Sequence, residues 1–189
     1  FNIPEDCFVI LLPGRITRWK GHKLFIEAID KLQRPDIICL IVGDFQGRNK
    51  YYTELERFID QFKLKNNFRI IPNQIDMATI YKLADVVVSS SLEPEAFGRV
   101  VAEAQAMGRP TVAVNHGGGP EIIIDGLTGW LFKPGNANDL ADKINKALSL
   151  NKNDRDKMAM NAIERAKLNF NNEMMCEKTL QVYAELANK

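Results

Sequence analysis

A cluster of basic side chains follows the first strand-like segment and could bind an anion. The loop Pro13–Lys23 carries four basic residues and no acidic residue. Arg15 offers a planar fork of donors and Lys20 a point charge, which together suit a multiply charged anion. The loop is not a P-loop, because Trp19 rather than Gly precedes Lys20. An ordinary solvated basic loop is the alternative.

A second candidate site is a helix start that could hold a phosphate. The segment Ser89–Glu103 predicts a helix from about Phe97 onwards. The amides of Phe97, Gly98 and Arg99 would then lack intrahelical partners and could donate to phosphate oxygens. The helix dipole would add to the attraction, and Gly98 would let the ligand approach the backbone closely.

Two glutamates in this segment could bind hydroxyl groups. Glu103 has Val100 and Met107 as neighbours on its helix face, so we expect that face to be unsolvated. A carboxylate placed there needs hydrogen-bond donors, and the hydroxyls of a sugar would serve. Glu95 lies eight residues earlier, which is about 12 Å along a continuous helix and similar to the distance between the two sugars of a nucleotide-sugar. The alternatives are an exposed Glu95 at a helix start and a Glu103 bridged to an arginine.

A run of three glycines forms the third candidate site. Gly117, Gly118 and Gly119 come soon after a strand-like segment, and Pro120 follows at a position suited to the first turn of a helix. Bare amides beside a second helix start could hold an anion or hydroxyls. An ordinary flexible turn is the alternative, and His116 alone is weak evidence for a ligand.

The elements that must position these loops alternate between strand and helix. Short apolar segments predict strands covered on both faces, namely Phe8–Leu12, Ile37–Val42, Phe68–Ile71, Asp85–Ser89, Thr111–Val114 and Gly129–Phe132. The intervening and following segments predict helices, namely Gly21–Gln33, Tyr51–Lys63, Met77–Leu83, Phe97–Met107, a short helix near Pro120, Ala137–Leu148, Asn153–Leu168 and Glu173–Ala187. This order predicts an α/β fold: a doubly wound, mostly parallel sheet of about six strands with helices on both faces and a helical C-terminus, forming a single domain over residues 1–189. Such sheets bind ligands beyond the carboxyl ends of their strands, where the three candidate loops lie.

Composition excludes several other classes of protein. The chain has 189 residues with 25 basic and 24 acidic side chains, and this near-neutral charge argues against a nucleic-acid partner. No apolar run approaches the roughly 18–20 residues of a membrane-spanning helix. Three cysteines without CxxC spacing predict a cytoplasmic protein that has neither a disulfide framework nor a zinc site. The first residue is Phe1 rather than Met, so we expect a piece of a longer protein.

Taken in order, these motifs resemble the C-terminal, nucleotide-sugar-binding domain of the GT4 family of retaining glycosyltransferases. The segments that carry the resemblance are Gly14-Arg15 with Lys20-Gly21, Glu95–Gly98 with Glu103-Ala104, Gly108–Pro110, Gly118–Glu121 and Asp125–Gly129. The E-x7-E signature of the family corresponds to Glu95 and Glu103. The resemblance implies the GT-B architecture, in which two Rossmann-like domains flank a catalytic cleft. The N-terminal domain, which binds the acceptor, would be absent from this chain.

The resemblance also implies site residues. Arg15 and Lys20 would neutralise the donor diphosphate and Glu95 would bind hydroxyls of the transferred sugar, which makes these three the expected catalytic residues. Glu103 would take the ribose hydroxyls, and Pro72–Asp76 would border the base. The remaining expected donor-binding residues are Gly14, Phe97, Gly98, Arg99, Gly117, Gly118 and Gly119. No metal or other cofactor is implied beyond the donor itself, a UDP-, GDP- or ADP-sugar.

The implied function is transfer of a hexosyl group, with retention, to a saccharide or lipid-linked acceptor, for example in lipopolysaccharide or polysaccharide biosynthesis. The acceptor would bind through the missing domain, so we expect the isolated chain to bind donor without turning it over. Peripheral association of the full-length protein with the inner face of the membrane is compatible with this interpretation. A non-catalytic nucleotide-sugar-binding module and a nucleotide-sugar epimerase are the alternatives. Two residues depart from the family pattern: Ala96 replaces a common Gly, and Arg99 a common apolar residue.

Overall fold

A six-stranded parallel sheet runs through the molecule. The computed structural model describes residues 1–47 and 49–187. The strands are Phe8–Pro13 (β1), Ile37–Val42 (β2), Phe68–Ile71 (β3), Val86–Ser89 (β4), Thr111–Val114 (β5) and Trp130–Phe132 (β6). Their order is β3-β2-β1-β4-β5-β6, and every neighbouring pair is parallel. The chain builds one half of the sheet outwards from β1 and then returns to build the other half from β4, which confirms the predicted doubly wound topology.

Helices cover both faces of this sheet. They are His22–Leu32 (α1), Asn49–Gln61 (α2), Met77–Leu83 (α3), Arg99–Ala106 (α4), Gly119–Ile122 (α5), Ala137–Leu148 (α6), Lys152–Asn169 (α7) and Asn172–Ala187 (α8). Helix α1 packs between α2 and α6, whereas α7 packs against α4. In the described part of the chain, no helix is both long enough and apolar enough to cross a bilayer.

The strands are apolar throughout because helices bury both of their faces. In β1, Ile10 and Leu12 join a core cluster with α1, α2 and α6, while Val9 and Leu11 join a second cluster with α3 and α4. All residues of β2 are buried. Each Leu or Ile side chain removed from water in this way stabilises the fold by about 1.5–3 kcal/mol. The carboxyl ends of the strands, and the loops that follow them, are therefore held on a rigid scaffold.

The helix after β4 begins two residues later than the sequence predicts. Its first residue is Arg99, and the N-cap is Gly98, which has a φ of +87°. A residue with a Cβ rarely adopts that conformation, so the chain enters the helix only after a turn at this glycine. The segment from Glu95 to Gly98 is consequently not helical. The estimate of 12 Å between Glu95 and Glu103 assumed a continuous helix and does not apply.

Candidate functional site

The three candidate loops meet at the carboxyl edge of the sheet, where β1 and β4 are neighbours and the strand order reverses. The amide of Leu92 donates to the carbonyl of Trp19 at 2.6 Å, which joins the loop after β4 to the basic loop. The amide of Gly118 donates to the carbonyl of Glu95 at 2.9 Å, which joins the glycine loop to the same segment. The structure thus brings together the three segments that the sequence selected.

An ion pair between Lys20 and Glu95 lies inside this site. The Nζ atom of Lys20 is 2.9 Å from Oε1 of Glu95, and the side chains are only 10% and 19% exposed. The hydroxyl of Ser91 donates to the same carboxylate oxygen. The ring of Trp19 also contacts the ammonium, with its centroid 4.5 Å from Nζ. Glu95 is therefore not the exposed residue of the alternative interpretation.

Arg15 is a second cation of the same loop and contacts the same tryptophan ring as Lys20. Its side chain is exposed, and its guanidinium carbon lies 5.7 Å from the centroid of the Trp19 ring. Among the described residues, the Arg15 guanidinium has no hydrogen-bond or ion-pair partner. Its donors are consequently available to a ligand.

The basic cluster is smaller than its sequence indicates. Arg18 and Lys23 both form ion pairs with Glu54 of α2, at 2.5 Å each. The hydrogen bonds from Arg18 and Lys23 lower the pKa of Glu54 to about 2. His22 is fully buried, and burial lowers the pKa of its imidazole to about 4, so it adds no charge at neutral pH. The interpretation of the entire loop as a solvated basic segment is wrong, because Lys20 is buried and two of the other cations are paired within the protein.

The first turn of α4 supplies free amides. The amides of Arg99 and Val100 precede the first intrahelical hydrogen bonds, since Val101 is the first to donate, to the carbonyl of Gly98. Those of Phe97 and Gly98 donate to no other described residue. The predicted set of donors at Phe97, Gly98 and Arg99 is thus present, although only Arg99 is helical. Together with the dipole of α4, they make this turn suited to an anion.

The glycine loop lies beneath this turn and packs tightly against it. A Cβ on Gly117 would lie 2.5 Å from the carbonyl oxygen of Glu95. Gly118 and Gly119 are buried, and α5 begins at Gly119 with Pro120 in its first turn. This packing is inconsistent with an ordinary flexible turn. The amide of Gly118 is occupied by Glu95, so the loop supports the candidate site through its backbone.

Glu103 lies one turn into α4 and accepts two hydrogen bonds. The hydroxyl of Tyr81 in α3 donates to its Oε2 at 2.9 Å, and Nη2 of Arg99 lies 3.4 Å from its Oε1. The side chain of Glu103 is 41% exposed, so the prediction of an unsolvated face is wrong: α3 covers only one side of this residue. The bridge to Arg99 is weak, because that side chain is 84% exposed and solvent screens the pair.

Tyr81 is a site residue that the sequence analysis missed. It is almost completely buried and contributes its ring to the core cluster beside α4. Burial, together with the adjacent Glu103 carboxylate, raises the pKa of its hydroxyl well above the usual range. The hydroxyl therefore stays protonated and fixes one oxygen of Glu103. In the sequence, only the polar tip distinguishes this residue from an ordinary core aromatic.

The loop expected to border a base follows β3. Asp76 caps α3, where its side chain accepts a hydrogen bond from the amide of Thr79 at 3.0 Å. Ile75 is fully exposed and presents an apolar side chain that a flat ring could contact. An open pocket of about 430 Å³ adjoins this loop on the α2 side and is lined in part by Phe45, Tyr52 and Pro72.

Two further observations concern the interior of the site. His116 lines a small cavity beside Glu95 and Gly98, and its ring nitrogens are buried without hydrogen-bond partners among the described residues. Within the described ranges, no three His, Cys, Asp or Glu side chains are grouped in a way that could hold a metal ion.

Known proteins match this chain in both sequence and structure. The family model described as "Glycosyl transferases group 1" matches residues 1–165. A D-inositol 3-phosphate glycosyltransferase of Paenarthrobacter aurescens (strain TC1) is 38% identical over 149 residues, which is 76% of this chain and 36% of the relative.

Solved structures of similar fold extend the match to nearly all of the chain. A glycosyltransferase from Rickettsia africae ESF-5 superposes with a TM-score of 0.93 at 36% identity, covering 98% of this chain and 49% of that protein. Anabaena Alr3699/HepE in complex with UDP and glucose superposes with a TM-score of 0.88 at 29% identity, covering 95% of this chain and 48% of that protein. The chain therefore spans about a third of the curated relative and about half of each solved structure.

Proposed function

Because the chain belongs to the glycosyl transferases group 1 family, we propose that it is the domain that binds the nucleotide-diphosphate sugar donor of such an enzyme. The family match confirms the resemblance drawn from the motifs. One observation carries the proposal: at one edge of the sheet, the ammonium of Lys20 and the carboxylate of Glu95 lie beside the free amides at the start of α4. Arg15 belongs to the same loop as Lys20, and Glu103 lies one turn into α4. Cations and amides suit a diphosphate, and carboxylates suit sugar hydroxyls.

In this proposal the diphosphate binds at the N-terminus of α4, between the amides of Gly98 and Arg99 and the side chains of Arg15 and Lys20. Transfer breaks the bond between the anomeric carbon of the sugar and the terminal phosphate oxygen, and that oxygen gains negative charge as the bond breaks. Fixed cations and amides stabilise such a developing charge without reorganising during the reaction. Glu95 holds hydroxyls of the transferred sugar, and Glu103 those of the ribose.

The rest of the reaction belongs to the complete enzyme. We propose that a hexosyl group passes, with retention, to a saccharide or lipid-linked acceptor bound by another part of a longer protein, and that residues 1–189 form a single domain that binds donor without turning it over. Among the candidate donors, UDP-sugars are the first to test, since the similar HepE structure contains UDP and glucose.

A thermal-unfolding panel of the chain with UDP-, GDP- and ADP-glucose tests the donor-binding proposal. We expect one nucleotide to raise the midpoint selectively, because a ligand that binds only the folded state stabilises it, by about 2.7 kcal/mol at a hundredfold excess over Kd. Free glucose is the control and should give no shift. If no nucleotide-sugar raises the midpoint, the chain does not bind a donor and the proposal is wrong.

The Tyr81–Glu103 pair gives a prediction about the ribose. Glu103→Gln should weaken binding of the ribonucleoside diphosphate by roughly tenfold, since hydrogen bonds to a charged acceptor contribute about 1.5–3 kcal/mol. It should leave the affinity of the 2′,3′-dideoxy analogue nearly unchanged. Tyr81→Phe, which removes only the hydroxyl that fixes Oε2, should act in the same direction with a smaller effect.

Isothermal titration of both nucleotides into both variants measures these effects. Tyr51→Phe is the matched control, because it removes the hydroxyl of another buried tyrosine, which lies on α2 rather than beside Glu103. Equal losses for the ribonucleotide and its dideoxy analogue would mean that Glu103 acts only through the structure of α4.

A further inference from the structure

The proposed function gives Lys20 and Glu95 different ligands, yet the structure pairs them with each other. Their charged atoms are 2.9 Å apart, and four-fifths or more of each side chain is inaccessible to solvent. Ser91 supplies the one additional donor to this carboxylate among the described residues. The two charges thus neutralise each other within the site, and the Lys20 ammonium that the proposed function assigns to the diphosphate is already paired with Glu95.

We propose that this ion pair makes the site select an intact nucleotide-sugar over the nucleoside diphosphate that transfer releases. The proposal rests on the donor-binding function and specifies how the two halves of the ligand are coupled. When the ammonium of Lys20 turns to a phosphate, the carboxylate of Glu95 loses its counter-ion. A donor that carries its sugar supplies hydroxyl groups to replace the lost hydrogen bond, whereas a nucleoside diphosphate supplies none.

The free energy needed to separate Lys20 from Glu95 therefore differs between the two ligands. Removing the partner of a largely buried charge is strongly unfavourable, because the remaining charge is neither solvated nor compensated. With only the nucleoside diphosphate bound, Glu95 retains the hydroxyl of Ser91 and also lies near a polyanion. The intact donor satisfies the carboxylate, so it gains the contact between Lys20 and the phosphate at a smaller cost. Loss of the sugar restores the penalty and favours release of the product.

In the alternative arrangement, Lys20 contacts the phosphate and the carboxylate of Glu95 at the same time. An ammonium has three donors and could contact a phosphate without leaving Glu95. In that case Glu95 would help to orient Lys20 towards the diphosphate, and removing its charge would not improve binding of the nucleoside diphosphate. The two arrangements thus predict changes of opposite sign for one substitution.

Isothermal titration of UDP, UDP-glucose and inorganic pyrophosphate into the 189-residue chain distinguishes them. Glu95→Gln should bind UDP and pyrophosphate at least about fivefold more tightly than the parent chain, because Lys20 is released from its partner. It should bind UDP-glucose less well, so that the ratio of the affinities for donor and product falls by about tenfold or more. Glu93→Gln is the matched control: it removes the same charge from an exposed position of the same loop and should change each affinity less than about twofold.

A second variant acts in the other direction. Ser91→Ala removes the donor that remains when Lys20 leaves, so it should weaken UDP binding while changing UDP-glucose binding less. A general change in surface charge would not produce opposite effects from these two variants. This substitution also keeps the ion pair, so it tests the coupling even if Glu95→Gln does not fold.

The outcomes separate this inference from the proposed function. Tighter UDP and pyrophosphate binding by Glu95→Gln, together with weaker UDP-glucose binding, supports the coupling. If the parent chain binds UDP or pyrophosphate but no UDP-glucose, both the coupling and the donor-binding proposal are wrong. Unchanged or weaker UDP and pyrophosphate binding by Glu95→Gln overturns the coupling and leaves donor binding intact where UDP-glucose still binds the parent chain. If neither protein binds any of the three ligands, both proposals are wrong.

Discussion

Lys20→Ala weakens binding of a nucleoside diphosphate more than Arg15→Ala does, and this is the largest effect that we expect on affinity. Loss of Arg15 removes an exposed set of donors, which corresponds to about 1.5–3 kcal/mol, or roughly 10- to 150-fold in Kd. Loss of Lys20 removes a comparable hydrogen bond and also leaves no cation near both the phosphates and the carboxylate of Glu95, whose side chain is only 19% exposed. The two anionic groups then repel each other in the bound state. Calorimetric titration of the two variants with UDP measures the difference.

Arg18→Ala is the matched control for both substitutions. It removes the same charge from the same loop, but its guanidinium is already paired with Glu54. We therefore expect a change in Kd of less than about twofold. If all three variants bind as the parent chain does, this loop does not bind the diphosphate. If Arg18→Ala weakens binding as much as Lys20→Ala, the effect is one of total charge and not of a specific site.

Gly118→Ala abolishes nucleotide binding and destabilises the fold, and this is the largest structural effect that we expect. A Cβ at this position would lie 1.8 Å from the carbonyl oxygen of Phe97 and 2.4 Å from its carbonyl carbon. Both are backbone atoms, so no side chain can move to make room. The loop that leads into α4 has to shift, which displaces the amides of Gly98 and Arg99. Overpacking of this kind costs about 1–3 kcal/mol of unfolding free energy.

Gly126→Ala is the control that separates the clash between a Cβ at position 118 and the backbone of Phe97 from the general effect of replacing a glycine. Gly126 has a φ of +78°, and beyond its two chain neighbours no heavy atom lies within 4 Å of the position that a Cβ would occupy. Alanine there costs about 1–2 kcal/mol through backbone strain alone and should leave the affinity for nucleotide unchanged. Denaturant unfolding and calorimetry of both variants provide the comparison. If the Gly118→Ala variant binds nucleotide with the affinity of the parent chain, the glycine loop does not position α4.

The fold could be predicted from the sequence because its signals are local and strong. The apolar run Ile37–Val42 is long enough for a strand and too apolar for an edge, and the structure buries every residue of it. The βαβ order and the preference for parallel pairing then restrict the topology. The predicted start of α4 was less accurate. Phe97 fits the apolar periodicity of that helix, but the left-handed conformation of Gly98 moves the first helical residue to Arg99.

The site could be predicted in part. The loops that carry Arg15, Lys20 and Glu95 meet because parallel strands place their carboxyl ends at one edge. Contacts made between distant segments left no signal in the sequence. The pairing of Arg18 and Lys23 with Glu54 depends on where α2 packs, and the hydrogen bond from Tyr81 depends on the approach of α3 to α4.

A crystal structure of the chain with UDP tests the central claim most directly, because it locates the ligand without reference to affinity. We expect the diphosphate within hydrogen-bond distance of the Gly98 and Arg99 amides and beside Lys20, with the ribose hydroxyls on Glu103. UDP bound instead in the pocket beside Phe45 and Tyr52, with the start of α4 free of phosphate, would contradict the claim that these three loops form the donor site.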